Sequence, residues 1–187
     1  MNRAVKYICL ALFVAVMCFA GLKIYAVNQK YPPAEVVAYG TGDVIEFSEM
    51  NMTVTASRID YAANIIDDYE VEIYNKNNNL LSEDECKLLV VDLAIENTTN
   101  NEITVPLYVI NAESGGWSNG IDATDFRKLN IGLEQPVITI SAGETAYVSV
   151  PFAMYSIQFK DSAWSAVDSR EYSVVFSVYP IMIKVVL

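Results

Sequence analysis

Residues 88–105 read LLVVDLAIENTTNNEITV, with apolar runs on both sides of a polar cluster at 97–102. Leu89, Val91, Leu93 and Ile95 alternate with Leu88, Val90, Asp92, Ala94 and Glu96. In an extended chain this makes one face wholly apolar and lets the other turn polar toward the cluster. Ile103, Val105, Leu107 and Val109 mirror the alternation beyond it, and Pro106 marks a bulge or an edge position. The pattern predicts the two strands of a central hairpin, with the Asn/Thr run as the turn that sets their register.

Period-two alternation recurs elsewhere. Residues 44–47 (VIEF) predict a short strand, and in 50–59 Met52, Val54 and Ala56 alternate with Thr53, Thr55 and Ser57. A weaker strand pattern covers 69–74, and a polar loop occupies 75–79. Ser82-Glu-Asp-Glu has the spacing of a capping box opening one short helical turn. Residues 114–125 (SGGWSNGIDATD) predict a Gly- and Asp-rich loop carrying an aromatic. PVITISAGETAYVSVPF predicts a strand, a tight turn and a strand with Ala146, Val148 and Val150 on one face. The closing SREYSVVFSVYPIMIKVVL predicts two more strands broken at Pro180. Roughly seven to nine short strands at this turn spacing imply an all-β fold, an immunoglobulin-like antiparallel β-sandwich.

The N-terminus is different. Residues 7–27 are apolar except for Lys23, long enough to cross a hydrocarbon core of about 30 Å as a helix. Two readings fit. An uncleaved signal anchor suits the length, and a cleaved signal peptide would use Arg3 and Lys6 as its basic region and Cys18-Phe19-Ala20 as an imperfect cleavage site. Either one exports the remainder of the chain, because the basic residues stay on the cytoplasmic side. The expected organisation is thus a transmembrane or signal segment at 1–27, a Pro-containing spacer at 28–42 and an extracellular sandwich at 43–187. The expected location is the cell membrane, single-pass, with the C-terminal domain outside.

Composition changes this picture in three ways. The chain is 53% hydrophobic, enough for a core without disorder. Its net charge is −11. Four of the basic residues (Arg3, Lys6, Lys23, Lys30) precede Tyr31 and no acid does, so residues 31–187 carry −15. Such a surface repels nucleic acid and anionic lipid, and tolerates a cationic peptide, a basic protein or a metal ion. Of three cysteines, Cys9 and Cys18 lie in the apolar segment, which leaves Cys86 alone outside and without an intramolecular disulfide partner. Acidic neighbours Glu83, Asp84 and Glu85 argue against a reactive thiol there.

The chemistry is bounded mainly by what the chain lacks. It contains no histidine, which removes Ser-His-Asp and Cys-His catalysis and His-ligated zinc. No Gly-rich phosphate loop follows a strand and opens a helix, so no nucleotide cofactor is implied. Asp67/Asp68, Glu83/Asp84/Glu85 and Asp122/Asp125 are acidic enough for Ca²⁺ but lack EF-hand spacing. A large ring in a Gly/Ser/Asn loop makes Trp117 a candidate partner-binding residue, with Asp122 and Asp125 beside it, or else a plug for one end of the sandwich. Trp164 is expected to pack under a connecting loop.

The ordered layout resembles a known group. An apolar N-terminal segment, MNMTVTAS, the stretch at 88–105, a Gly/Trp loop, ITISAGETAYVSVPF and the closing YSVVFSVYPIMIKVVL recur in that order in uncharacterised exported domains of Firmicutes. Those domains share an immunoglobulin-like sandwich with immunoprotective extracellular antigens. Residues 68–86, DYEVEIYNKNNNLLSEDEC, are an insertion relative to that layout. The resemblance implies a fold and an extracellular address, and assigns no catalytic residue. The expectation is therefore a non-catalytic interaction or accessory module with an unknown extracellular protein or peptide as partner. The alternatives are a Ca²⁺-dependent glycan binder, a carboxylate-based hydrolase, or an accessory or immunity-type protein of a peptide export system.

Overall fold

The computed structural model describes residues 3–187. Its first unit is a helix, α1 (Arg3–Lys30), of 28 residues or about 42 Å at ~1.5 Å per residue. It is long and apolar enough to cross a membrane and buries none of its apolar surface, as suits either a signal sequence or an anchor.

The second unit holds β1 (Glu35–Gly40), β2 (Val44–Glu46), β3 (Met50–Tyr61), α2 (Ala62–Ile65), β4 (Cys86–Asn97), β5 (Ile103–Pro106), β6 (Asn111–Ser114) and β7 (Trp117–Gly120). Then come α3 (Ala123–Leu129), β8 (Val137–Ile140), β9 (Thr145–Tyr155), α4 (Asp161–Trp164), β10 (Ser173–Ser177) and β11 (Ile181–Val186). They form an antiparallel β-sandwich, in keeping with the alternation. One sheet runs β1-β11-β10-β6-β7, the other β2-β3-β4-β9, and β5-β8 is a separate ribbon.

The faces of β4 lie as alternation predicts. Leu89, Val91, Leu93 and Ile95 are buried in the main core with Val54, Val148, Val150, Phe152 and Phe126. Ala56 departs from its predicted face because β3 bulges between Val54 and Ala56, which turns the following residues over and leaves Ala56 exposed. Leu88 and Val90, on the opposite face of β4, fill a second small core with Ala62, Ile66, Leu81, Cys86 and Ala153. The insertion at 68–86 thus has a structural role: with α2 it covers part of the outer sheet face. The strand pattern at 69–74 yields only a single bridge, Tyr74 to Leu80. Ser82 does open one 3₁₀ turn, Glu83–Glu85.

Three expectations need correction. The stretch 88–105 is not a hairpin. β4 pairs with β3 and β9, whereas β5 pairs with β8. The Asn/Thr run is therefore a corner that carries the chain out of one sheet and into another. The fully buried Asn97 makes that corner. Its amide nitrogen donates to the carbonyls of Asn101 (2.7 Å), Ile140 (3.0 Å) and Ser141 (3.0 Å). Its carbonyl oxygen accepts from Thr99 N (2.9 Å) and Thr99 Oγ1 (2.8 Å).

Second, residues 28–42 are not spacer throughout, since α1 runs to Lys30 and β1 joins the five-stranded sheet. Third, residues 114–125 are ordered structure: β6 and β7 form a tight hairpin with Ser114 opposite Trp117, and α3 comes next. Gly115 turns that hairpin at φ +57°, in the left-handed region that favours glycine. The Arg170 guanidinium holds it there, with Nε donating to Ser114 Oγ (3.0 Å) and Nη2 to Ser114 O (2.6 Å).

Candidate functional site

The three residues singled out in the sequence do not come together as a surface. Trp117 is 7% exposed and belongs to the core. Its ring stacks on Phe159 (6.0 Å between centroids, 27°) and meets Tyr172 edge-on (5.9 Å), and its Nε1 donates to Gln158 Oε1 (3.2 Å). Of the two roles open to it, the geometry is that of the plug, and little of the ring is left for a partner. Asp122 is a helix cap: its Oδ1 accepts from the backbone N–H groups of Thr124 (2.9 Å) and Asp125 (3.0 Å) at the start of α3.

Asp125 is a buried residue of the first turn of α3, where Asp122, Lys128, Tyr69, Tyr155 and Cys86 form its electrostatic surroundings. Burial raises its pKa to about 6, with Asp122 adding to the rise and Lys128 opposing it. Burial also raises Tyr69 above its ordinary value, Tyr155 to about 12 and the Cys86 thiol to about 11. Cys86 is accordingly an inert core thiol.

Asp125 yields a pH-dependent prediction. A folded-state pKa near 6 against 3.8 in the unfolded chain means that the native state holds the extra proton between those values. Stability is thus highest below about pH 4 with respect to this group and is lost as pH rises through 6. Asp125→Asn is expected to raise stability at pH 7 by on the order of 2 kcal/mol and to gain much less at pH 4. Thermal melts at the two pH values check this; an equal effect at both would mean that ionisation of Asp125 has no part in it.

Phe159, stacked on Trp117, lies 5.7 Å from the ring of Trp164, and both line an open cleft of about 870 Å³. Ile157, 51% exposed, stands in its wall. The remaining lining comes from Asn75, Lys76, Asn77, Ser82, Asp84, Glu85, Ser156 and Asp161. Register builds it: Cys86 of β4 lies opposite Tyr155 of β9, which sets Glu85 beside Ser156. Ser156 Oγ donates to Glu85 Oε1 (2.8 Å), while Ser82 N–H (3.1 Å) and Oγ (2.9 Å) donate to Oε2. These donors, the Ser82 backbone N–H first, hold the Glu85 carboxyl below its ordinary pKa. It is an ionised acceptor, unsuited to act as a general acid at neutral pH.

Behind the aromatic wall, the buried Lys87 ammonium pairs with Asp168 and packs over the rings of Tyr61 (4.5 Å) and Trp164 (5.9 Å). Arg170 lies over Phe159 (5.5 Å). Each of the two outer rings of the Trp117–Phe159–Trp164 cluster thus carries a cation of the protein itself.

A second cleft, of about 460 Å³, sits on the outer face of β3, β4 and β9 between Arg58, Asp92, Asn130, Ile131, Tyr147 and Ser149. Arg58, Asp92, Asn130 and Ser149 are already paired with one another. Arg58 Nη1 donates to Asp92 Oδ2 (2.9 Å), Ser149 Oγ donates to Asp92 Oδ1, and the Asn130 amide bonds both the N–H and the C=O of Ser149. Asn130 there occupies the open edge of β9 as a neighbouring strand would. Among the described residues, no group of three or more His, Cys, Asp or Glu side chains is placed to hold a metal ion.

Residues 36–187 are thus an antiparallel β-sandwich module with an acidic, aromatic-walled cleft. The chain belongs to the DUF5028 family, a domain of unknown function, which matches residues 28–183. Among curated proteins none matches.

Solved structures of similar fold include an uncharacterized β-sandwich protein from Clostridium difficile 630, at 14% identity and a TM-score of 0.48 over 82% of this chain and 95% of that one. The yjhA protein from Bacillus subtilis is similar at 13% identity and a TM-score of 0.47, over 80% of this chain and 98% of its own. A conserved hypothetical protein from Bacillus anthracis is similar at 11% identity and a TM-score of 0.47, over 73% and 88% respectively.

Proposed function

We propose that this chain is a non-catalytic extracellular interaction module, tethered to the cell membrane by α1, that engages a protein or peptide at the Phe159/Trp164 cleft. The observation that carries the proposal is the cleft itself, about 870 Å³ in volume, with Ile157, Phe159 and Trp164 in its wall. A concavity walled by an exposed aliphatic and two half-buried aromatic side chains is what a partner's side chain fills. The basic residues before an apolar helix support export of the sandwich. The ionised state of Glu85 and the hydrogen-bonded floor of the cleft at Ser82 and Ser156 support binding over proton transfer.

Site-specific photo-crosslinking in intact cells tests the reading. A photoreactive phenylalanine at Ile157 is expected to give a discrete protein adduct, and one at the exposed Thr104 of β5 is expected to give none. Equal patterns at the two positions, or no adduct at Ile157, would remove the cleft as a partner site.

A further inference from the structure

We infer that the cleft takes a cationic side chain, lysine or arginine, from an extended segment of the partner. This inference rests on the reading above and names the chemistry of the partner.

Three features of the site point the same way. The first is its unpaired charge. The carboxylates of Asp84 and Asp161 line the cleft, and neither makes a hydrogen bond or an ion pair within the chain among the described residues. Glu85 is held ionised beside them, and Lys76 is the one base in the lining. A cation brought between these groups gains charge-assisted hydrogen bonds that nothing in the fold supplies.

The second is the wall. Phe159 and Trp164 present π systems, and the protein already packs its own cations on these same rings, Arg170 at 5.5 Å and Lys87 at 5.9 Å. A cation entering from the cleft repeats a contact that the fold uses twice. The third is the field. Residues 31–187 carry −15, and a concave surface of net negative charge concentrates cationic ligands and speeds their arrival. An acidic segment would be repelled. A neutral glycan can stack on Trp164 but leaves the charges of Asp84 and Asp161 uncompensated. A cleft of about 870 Å³ has room for one long side chain and the backbone that carries it.

The test uses the full chain in nanodiscs of zwitterionic lipid, titrated calorimetrically with acetylated, amidated tetralysine, with tetraglutamate and with chitotetraose. Tetralysine is expected to bind, more weakly in added salt, and the other two are expected not to. The double variant Asp84→Asn/Asp161→Asn is expected to lose affinity for tetralysine by about tenfold, equivalent to about 1.4 kcal/mol. Asp67→Asn/Asp68→Asn, which removes the same charge from an exposed turn outside the lining of the cleft, is expected to lose less than about threefold. Equal losses in the two double variants would assign the binding to the diffuse field of the domain and overturn the inference. Binding of chitotetraose in preference to tetralysine, or of no probe at all, would overturn it as well. In each of those cases an adduct at Ile157 would leave the interaction module standing, and its absence would remove both.

Discussion

Val91→Asp is expected to abolish folding of the sandwich. Val91 sits at the middle of β4, opposite Ser57 of β3 and Val150 of β9, and is fully buried in the main core. Its neighbours on that face, Leu89, Leu93 and Ile95, offer no hydrogen-bond donor. An unpaired carboxylate placed there costs several kcal/mol, or else takes up a proton and still loses the packing of the valine. Either loss is large against the ~5–15 kcal/mol of net stability of a domain. Far-UV circular dichroism and a thermal melt read the result directly. A native-like cooperative melt of the variant would mean that the apolar face of β4 points elsewhere.

Asn97→Ala is expected to be the next most damaging change, at about 3 kcal/mol. A single buried amide joins the end of β4 to the end of β8, with three carbonyl acceptors on its nitrogen and two donors from Thr99 on its oxygen. Alanine leaves the Ile140 carbonyl and its neighbours with an unmet hydrogen bond in a place that water reaches poorly. Asn97→Asp should be at least as damaging, because a carboxylate presents no donor to three carbonyls. Thr99→Ala, which removes only the hydroxyl's contacts, should cost about 1 kcal/mol. Urea unfolding of the three variants checks the ranking. A loss below about 1 kcal/mol for Asn97→Ala would show that the corner is held by backbone alone.

The contrast between these residues explains what can be read in advance. The burial of Val91 follows from alternation, a signal carried by adjacent residues and imposed by the geometry of any half-buried strand. The polarity of 97–102 equally predicts a change of direction. It does not predict which strand the chain meets next, because a hairpin turn and an inter-sheet corner both want Asn and Thr. The decision rests with the Ile140 and Ser141 carbonyls, more than forty positions away.

The same limit applies to the candidate site. Trp117 stands between two glycines and a serine-asparagine pair, which by composition is a loop, and only the pairing of β6 with β7 makes it a strand residue with its ring in the core. Asp122 and Asp125 have helix-start spacing, yet α3 is too short to show a helical period. Composition alone puts Trp164 under a connecting loop. Its place in the cleft depends on Phe159, on residues 75–77 and on Ser82, Asp84 and Glu85, which come from separate parts of the chain.

By itself, the sequence determined an apolar segment able to enter a membrane, an acidic remainder, a β-sandwich, the buried face of its central strand and the absence of histidine chemistry. All of these are sums or short periods along the chain, and local physics is enough to read them. Only the tertiary structure decided that the Asn97 corner joins two sheets, that the insertion builds a second core, and that Glu85 meets Ser156 to open the cleft. Those outcomes depend on strand register between distant segments, where a shift of one residue would turn each side chain to the opposite face of its sheet.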